Sequence, residues 1–156
     1  AEQAGYSAGF LLVGLLAIFN TAGRILGGAL SDRIGRIRSL QLMVLLQGLN
    51  MLSFSLYRTA GLMAMGTAIA GASYGALLTI FPSITSDYYG MRNFGLNYGV
   101  LFTAWGIAGV IGPVIASGAR DLTGSFGPAY VVSAVLLGVT LVLTFILRPV
   151  TGRKER

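Results

Sequence analysis

The amino-acid sequence predicts an all-α integral membrane protein of about five transmembrane helices, and three observations carry that prediction. The chain is 54% hydrophobic and only 10% charged, where a soluble domain carries about 25% charged residues. So few charges cannot clothe a water-facing surface. Five apolar stretches meet or approach the roughly 20 residues needed to cross a bilayer. Finally, the basic residues cluster in the short segments between those stretches and at the C-terminus.

The stretches run from Ser7 to Leu30, Ser39 to Tyr57, Gly61 to Ser86, Gly95 to Gly118 and Ala129 to Leu147. Polar or Gly-rich punctuation separates them at 31–38, 58–60, 87–94 and 119–128, and residues 148–156 form a basic tail. The third stretch ends near Pro82, where loss of a backbone donor predicts a kink. The 23 glycines, a loop signal in a soluble protein, suit close helix approach inside a bilayer. Gly23 and Gly27, four apart, read as such a packing pair. The opening residues 1–6 read as the end of an external loop, so the sequence is expected to be an incomplete bundle preceded by further helices.

Charge placement sets an expected orientation. Arg33, Arg36, Arg38, Arg92, Arg148, Arg153, Lys154 and Arg156 fall on one side, and only Arg58 and Arg120 on the other. The positive-inside rule puts the first group in the cytoplasm, with the C-terminus inside and the N-terminus of this chain outside. The net charge of +6 does not point to nucleic acid, because no segment combines a basic stripe with stacking aromatics. Cysteine and histidine are absent, which removes thiol chemistry, disulfides and the usual zinc sites. No cofactor or metal is expected. The membrane-embedded polar groups include no Asp, Glu, His or Cys for acid-base or nucleophilic work, so an enzyme is disfavoured.

The segment after the first stretch reads Gly28-Ala29-Leu30-Ser31-Asp32-Arg33-Ile34-Gly35-Arg36-Ile37-Arg38. It must turn tightly between two membrane helices. Gly35 can adopt positive φ, Asp32 can pair with a cation, and the arginines can meet carboxylates or anionic lipid. Its spacing, G-x-x-x-D-R-x-G-R-x-R, resembles the cytoplasmic signature loop of the major facilitator superfamily. Four stretches and a basic tail follow, which fits helices 8 to 12 of the C-terminal six-helix half. Residues 20–28, running into the loop, resemble helix 8 of oxalate/formate antiporters and monocarboxylate transporters. Residues 82–90 and 95–99 resemble the helix 10 to 11 junction of the oxalate/formate group.

The resemblance implies a secondary active transporter, an antiporter or proton symporter of the plasma (inner) membrane, that moves a small carboxylate of the formate, pyruvate, lactate or oxalate class. Its partners would be that anion, membrane lipid and the missing N-terminal half. Arg24, inside the first stretch, matches the arginine implied to bind the substrate carboxylate; by its own position it can equally snorkel to the cytoplasmic interface. Asn20, one turn earlier, can orient that guanidinium or touch substrate. Monocarboxylate carriers often have an acidic residue there, and asparagine cannot carry a coupling proton. Gln47 and Asn50 share a face of the second stretch, suiting interhelical bonds or substrate. Tyr74 of the third can bond a neighbouring helix or a carboxylate. In oxalate exchangers a helix 11 lysine supplies a second cation; aligned on Thr103-Ala104, that position is Trp105. This favours a monocarboxylate over a dianion, and leaves Trp105 to line the cavity or pack. Asp87 is the natural partner for Arg33 or Arg36, and an Asp32/Arg36/Asp87 cluster is expected to latch the cytoplasmic side. A solvated interfacial charge is the plainer reading of Asp87. The alternative to transport is an orphan membrane fragment with no activity of its own.

Overall fold

A computed structural model of the protein describes residues 9–147. They form five helices: α1 (Gly9–Ile34), α2 (Arg36–Phe54), α3 (Ala60–Tyr89), α4 (Phe94–Thr123) and α5 (Gly127–Thr144). No strand occurs among the described residues. The external segment expected at 1–6 and the basic tail from Arg148 lie outside them.

The helices match the five expected stretches, with corrections at their ends. The loop expected at 31–38 is nearly all helical. α1 continues through Asp32 and Arg33 to Ile34, α2 begins at Arg36, and Gly35 alone turns the chain at φ 94°. That φ is readily accessible only to glycine, so a single residue can reverse the path. α3 runs unbroken past Pro82 to Tyr89, and Gly90 ends it at φ 73°. α4 extends to Thr123, absorbing part of the segment expected at 119–128, and Gly124 closes it in the left-handed region. α5 ends at Thr144 rather than Leu147.

By length and composition four of the helices are apolar enough to span a membrane, and α2 is the exception. The five expected helices are all present, and α2 falls short on that criterion for a reason visible in the helix. Arg36, Arg38, Gln41, Gln47 and Asn50 lower its average, yet its outward residues Leu42, Leu45, Leu46, Leu49 and Leu52 form one exposed stripe at helical spacing. Asn50 meanwhile is buried against α3, where its amide donates to the Gly66 carbonyl oxygen at 2.9 Å. α2 therefore shows an apolar stripe outward and turns Asn50 inward on the side of its buried Leu40 and Val44, as a helix packed within a membrane bundle can.

Two interfaces hold the bundle. Leu40 and Val44 of α2 bury against Ala76 and Ile80 of α3, with Leu137 and Leu141 of α5 packed alongside. The closest pair is α1 and α3. A Cβ on Gly23 would overlap the backbone of Ala72, one on Gly27 would overlap Ala76, and one on Gly75 would overlap the Asn20 carbonyl. A Cβ on Gly71 would stand 2.6 Å from the Leu16 oxygen. The expected Gly23/Gly27 pair thus packs on Ala72 and Ala76, and a second pair, Gly71/Gly75, which the sequence did not single out, packs on Leu16 and Asn20. Partner positions rise together along both helices, so α1 and α3 run parallel. α4 contributes no buried residue and leans on α3 and α5.

These contacts predict opposite signs for one substitution. Gly75→Ala should destabilise the protein by about 1–3 kcal/mol through overpacking. Gly138→Ala in α5, where nothing lies within 4 Å, should stabilise it by about 0.4–1 kcal/mol. Thermal unfolding in detergent reads both, and equal responses would contradict the close α1/α3 contact.

Candidate functional site

The tight junction around Gly35 builds a charged cluster. With no loop to spare, the last turn of α1 and the first turn of α2 lie side by side. Arg36 reaches Ser31 through Nη1 at 2.9 Å and the Asp32 carboxylate through the same nitrogen. Its Nε donates to Asp87 Oδ2 at 3.3 Å, near the end of α3. One guanidinium therefore ties three helices. Burial lowers the pKa of Arg36, but the hydrogen bonds and charges of Asp32 and Asp87 outweigh it and hold the group above its ordinary value. The expected Asp32/Arg36/Asp87 grouping is present, and Arg36 rather than Arg33 is the partner of Asp87. Ser31, fully buried, is a further partner that charge-based reading did not single out. Arg33 and Arg38 are exposed, and Gly28 lies two turns before Gly35 with open space around it.

Arg24 sits ten residues before the end of α1, about 15 Å at 1.5 Å per residue. Its Nε donates to Asn20 Oδ1 at 3.2 Å, one turn back on the same face. Among the described residues its terminal nitrogens make no other hydrogen bond, so the end of the guanidinium fork points outward as an exposed group. Thr79 of α3 packs against this turn: its hydroxyl donates to Ala76 of its own helix at 2.8 Å and lies 3.3 Å from the Arg24 carbonyl. Of the two roles open to Asn20 in sequence, orienting the guanidinium is the one this bond fulfils.

Gln47 lies at the α2/α3 side of the bundle, with its amide oxygen buried and unpartnered. Ser73, also buried without a partner, belongs to the facing helix α3. Asn50 accepts from the Tyr57 hydroxyl at 3.3 Å besides bonding Gly66. These contacts make this polar face an interhelical one, with Asn50 as its hydrogen-bonding residue.

Tyr74 and Trp105 come together across α3 and α4. The indole Nε1 donates to the Tyr74 hydroxyl at 2.8 Å. Both line a cavity of about 450 Å³ between the two helices, to which Arg24, Asn20 and Gln47 do not contribute. Trp105 ends a row of aromatics on α4. Phe94 stacks on Tyr98 at 5.6 Å, Tyr98 meets Phe102 at 5.4 Å, and Phe102 stacks on Trp105 at 5.1 Å. The spacing i, i+4, i+8, i+11 was legible in sequence as one face of a helix, although only Trp105 was selected from it.

Against this geometry stand the comparisons with known proteins. A family model described as Major Facilitator Superfamily matches residues 2–156. The chain belongs to that family. Among curated members of the superfamily it is 27% identical over 158 residues to an oxalate:formate antiporter of Oxalobacter formigenes, covering 96% of this chain and 36% of that protein. It is 33% identical over 100 residues to the MFS-type transporter YhjX of Escherichia coli strain K12, covering 63% of this chain and 25% of YhjX. With apicoplast pyruvate carrier 2 of Toxoplasma gondii the identity is 34% over 95 residues, covering 60% of this chain and 15% of the carrier. The chain thus spans about a third or less of the length of these relatives. Its membership of a transporter family, with four helices apolar enough to span, makes it a multi-pass membrane protein.

If Arg36 joins the helices through Asp87, the two residues should be energetically coupled. A double-mutant cycle of Arg36→Ala and Asp87→Ala should give about 0.5–1 kcal/mol at low salt, and less at high salt, because both side chains are partly exposed. Additive effects at both salt concentrations would mean that the bridge contributes nothing.

Proposed function

We propose that this chain forms one wall of the pathway of a secondary active transporter for a small organic carboxylate, working by alternating access. The observation that carries this reading is Arg24. A guanidinium within an apolar, membrane-long helix is costly to keep there unless it serves a cavity or a partner. Asn20 occupies its Nε and leaves the two terminal nitrogens for the paired oxygens of a carboxylate. Two of the relatives bear names that specify oxalate, formate or pyruvate, all carboxylates, which supports the same class. No second cation replaces the helix 11 lysine at Trp105, which favours a monoanion. Asn20 cannot take up a proton, so a coupling proton, if the carrier uses one, resides elsewhere.

In this fold class, substrates bind near the midplane and the bundles rock around them. The Arg36 cluster is the latch of that motion: it clamps α1, α2 and α3 at one end and must loosen for that end to open. Arg33, Arg36, Arg38 and Arg92 gather at this end of the described helices, which supports its assignment to the cytoplasm of a plasma membrane.

Two outcomes test the reading. Arg24→Gln should weaken carboxylate binding by about 30- to 100-fold, equivalent to about 2–3 kcal/mol for lost charge-assisted hydrogen bonds. Uptake by the complete carrier in proteoliposomes, measured with formate, pyruvate, lactate and oxalate, checks this, and unchanged affinity would end the carboxylate-clamp role. Asp87→Asn should raise the accessibility of the signature-junction end to an impermeant thiol reagent at an introduced cysteine. An unaltered labelling rate would reduce Asp87 to a solvated charge.

A further inference from the structure

We infer that the transported acid carries a sizeable apolar body, aromatic or branched aliphatic, which the cavity between α3 and α4 receives while Arg24 holds its carboxylate. The inference rests on the carboxylate reading above and narrows it from small anions in general to hydrophobic monocarboxylates.

Placement on the helices supplies the first argument. On one flank of the parallel α1/α3 pair, the row Leu16–Asn20 touches the row Gly71–Gly75. Arg24 continues the first row by one turn. Tyr74 and Leu78 form the next row beyond Gly71 and Gly75 on α3, three residues further round. The opposite flank is closed by Gly23 and Gly27 against Ala72 and Ala76. Arg24 and the Tyr74/Leu78 wall of the cavity therefore open on the same side of the pair.

Size and chemistry supply the second. The cavity measures about 450 Å³. Formate has three heavy atoms and displaces roughly two or three water volumes, about 60–90 Å³, a small part of this half-open cleft. The walls are apolar and aromatic, with Leu78, Phe81, Phe102 and Ala104 among them. The indole N–H of Trp105 is spent on Tyr74, so Trp105 itself presents a ring face, and the polar groups of the walls are the neutral hydroxyls of Tyr74 and Tyr98. The cation lies outside the cavity and the cavity contains none. Such a division fits an amphiphilic monoanion, with charge at one end and an apolar group at the other, and opposes a dicarboxylate whose second charge would enter an apolar space.

The test uses the complete carrier, purified in detergent, with binding of formate, acetate, phenylacetate, oxalate and neutral phenylacetamide followed by calorimetry. The difference in fluorescence between the carrier and its Trp105→Phe variant serves as a local signal. Phenylacetate should bind at least tenfold more tightly than acetate, since each buried methylene alone is worth about fourfold, and it should perturb Trp105 emission. Ala104→Leu narrows the cavity without touching Arg24; it should remove that advantage while leaving acetate binding intact. Arg24→Gln should weaken both acids alike. Unfolding midpoints identify any variant that fails to fold, and Leu78→Phe then replaces Ala104→Leu. If formate or oxalate binds as well as phenylacetate and Arg24→Gln still abolishes binding, the apolar-body inference is wrong and the carboxylate reading stands. If phenylacetamide binds as well as phenylacetate and Arg24→Gln changes nothing, the carboxylate reading fails and the inference falls with it. If Ala104→Leu leaves the phenylacetate advantage untouched, the acid's apolar body lies elsewhere and the inference is overturned.

Discussion

Backbone contact between α1 and α3 is the constraint on which the rest depends. In a bilayer there is little hydrophobic gain from bringing two apolar helices together, so association relies on close packing. Four glycines supply it, two from each helix, and at every one a methyl group would meet the opposite backbone or Ala76. The approach packs Thr79 against the turn that carries Asn20 and Arg24. A wider interface would leave that arginine on a helix free to rotate.

The second organising device is the one-residue junction at Gly35. A longer loop would let the ends of α1 and α2 part. Because only Gly35 intervenes, Ser31 and Asp32 in the last turn of α1 stay within reach of Arg36 in the first turn of α2. Asp87 then reaches the same guanidinium from α3, across 51 residues of chain. The cluster joins the three helices that also contain the close glycine contacts and the α2/α3/α5 core. α4 stands apart from this framework: it buries nothing among the described residues, and a Trp105–Tyr74 hydrogen bond links it to α3. The protein thus pairs a closely packed assembly of α1, α2 and α3 with a helix that buries no residue, and the cavity lies between α3 and α4.

Much of this was legible in sequence, and where it was not the reasons are physical. Hydropathy located all five helices because crossing a bilayer imposes a length that soluble folds do not. It set their ends poorly, since Asp32 and Arg36 are as good in a helix as in a loop once they pair with one another. Averaging also undervalued α2, whose polar residues are compatible with a membrane because Asn50 turns inward. Gly23 and Gly27 announced a close contact, but their spacing could not say against which helix. Asp87 had two candidate partners in sequence, and only the position of α3 selected Arg36.

The sequence by itself determined the membrane class, the number of helices, the sharp turn at Gly35 and the intramembrane arginine, because each follows from local composition or spacing along one helix. The tertiary structure alone decided that Gly71 and Gly75 face Leu16 and Asn20, that Asp87 reaches Arg36, and that Tyr74 and Trp105 share a wall of one cavity. Those are questions of which helix lies beside which and at what rotation. Helical periodicity fixes the face of each helix, whereas packing between backbones fixes the neighbour it meets.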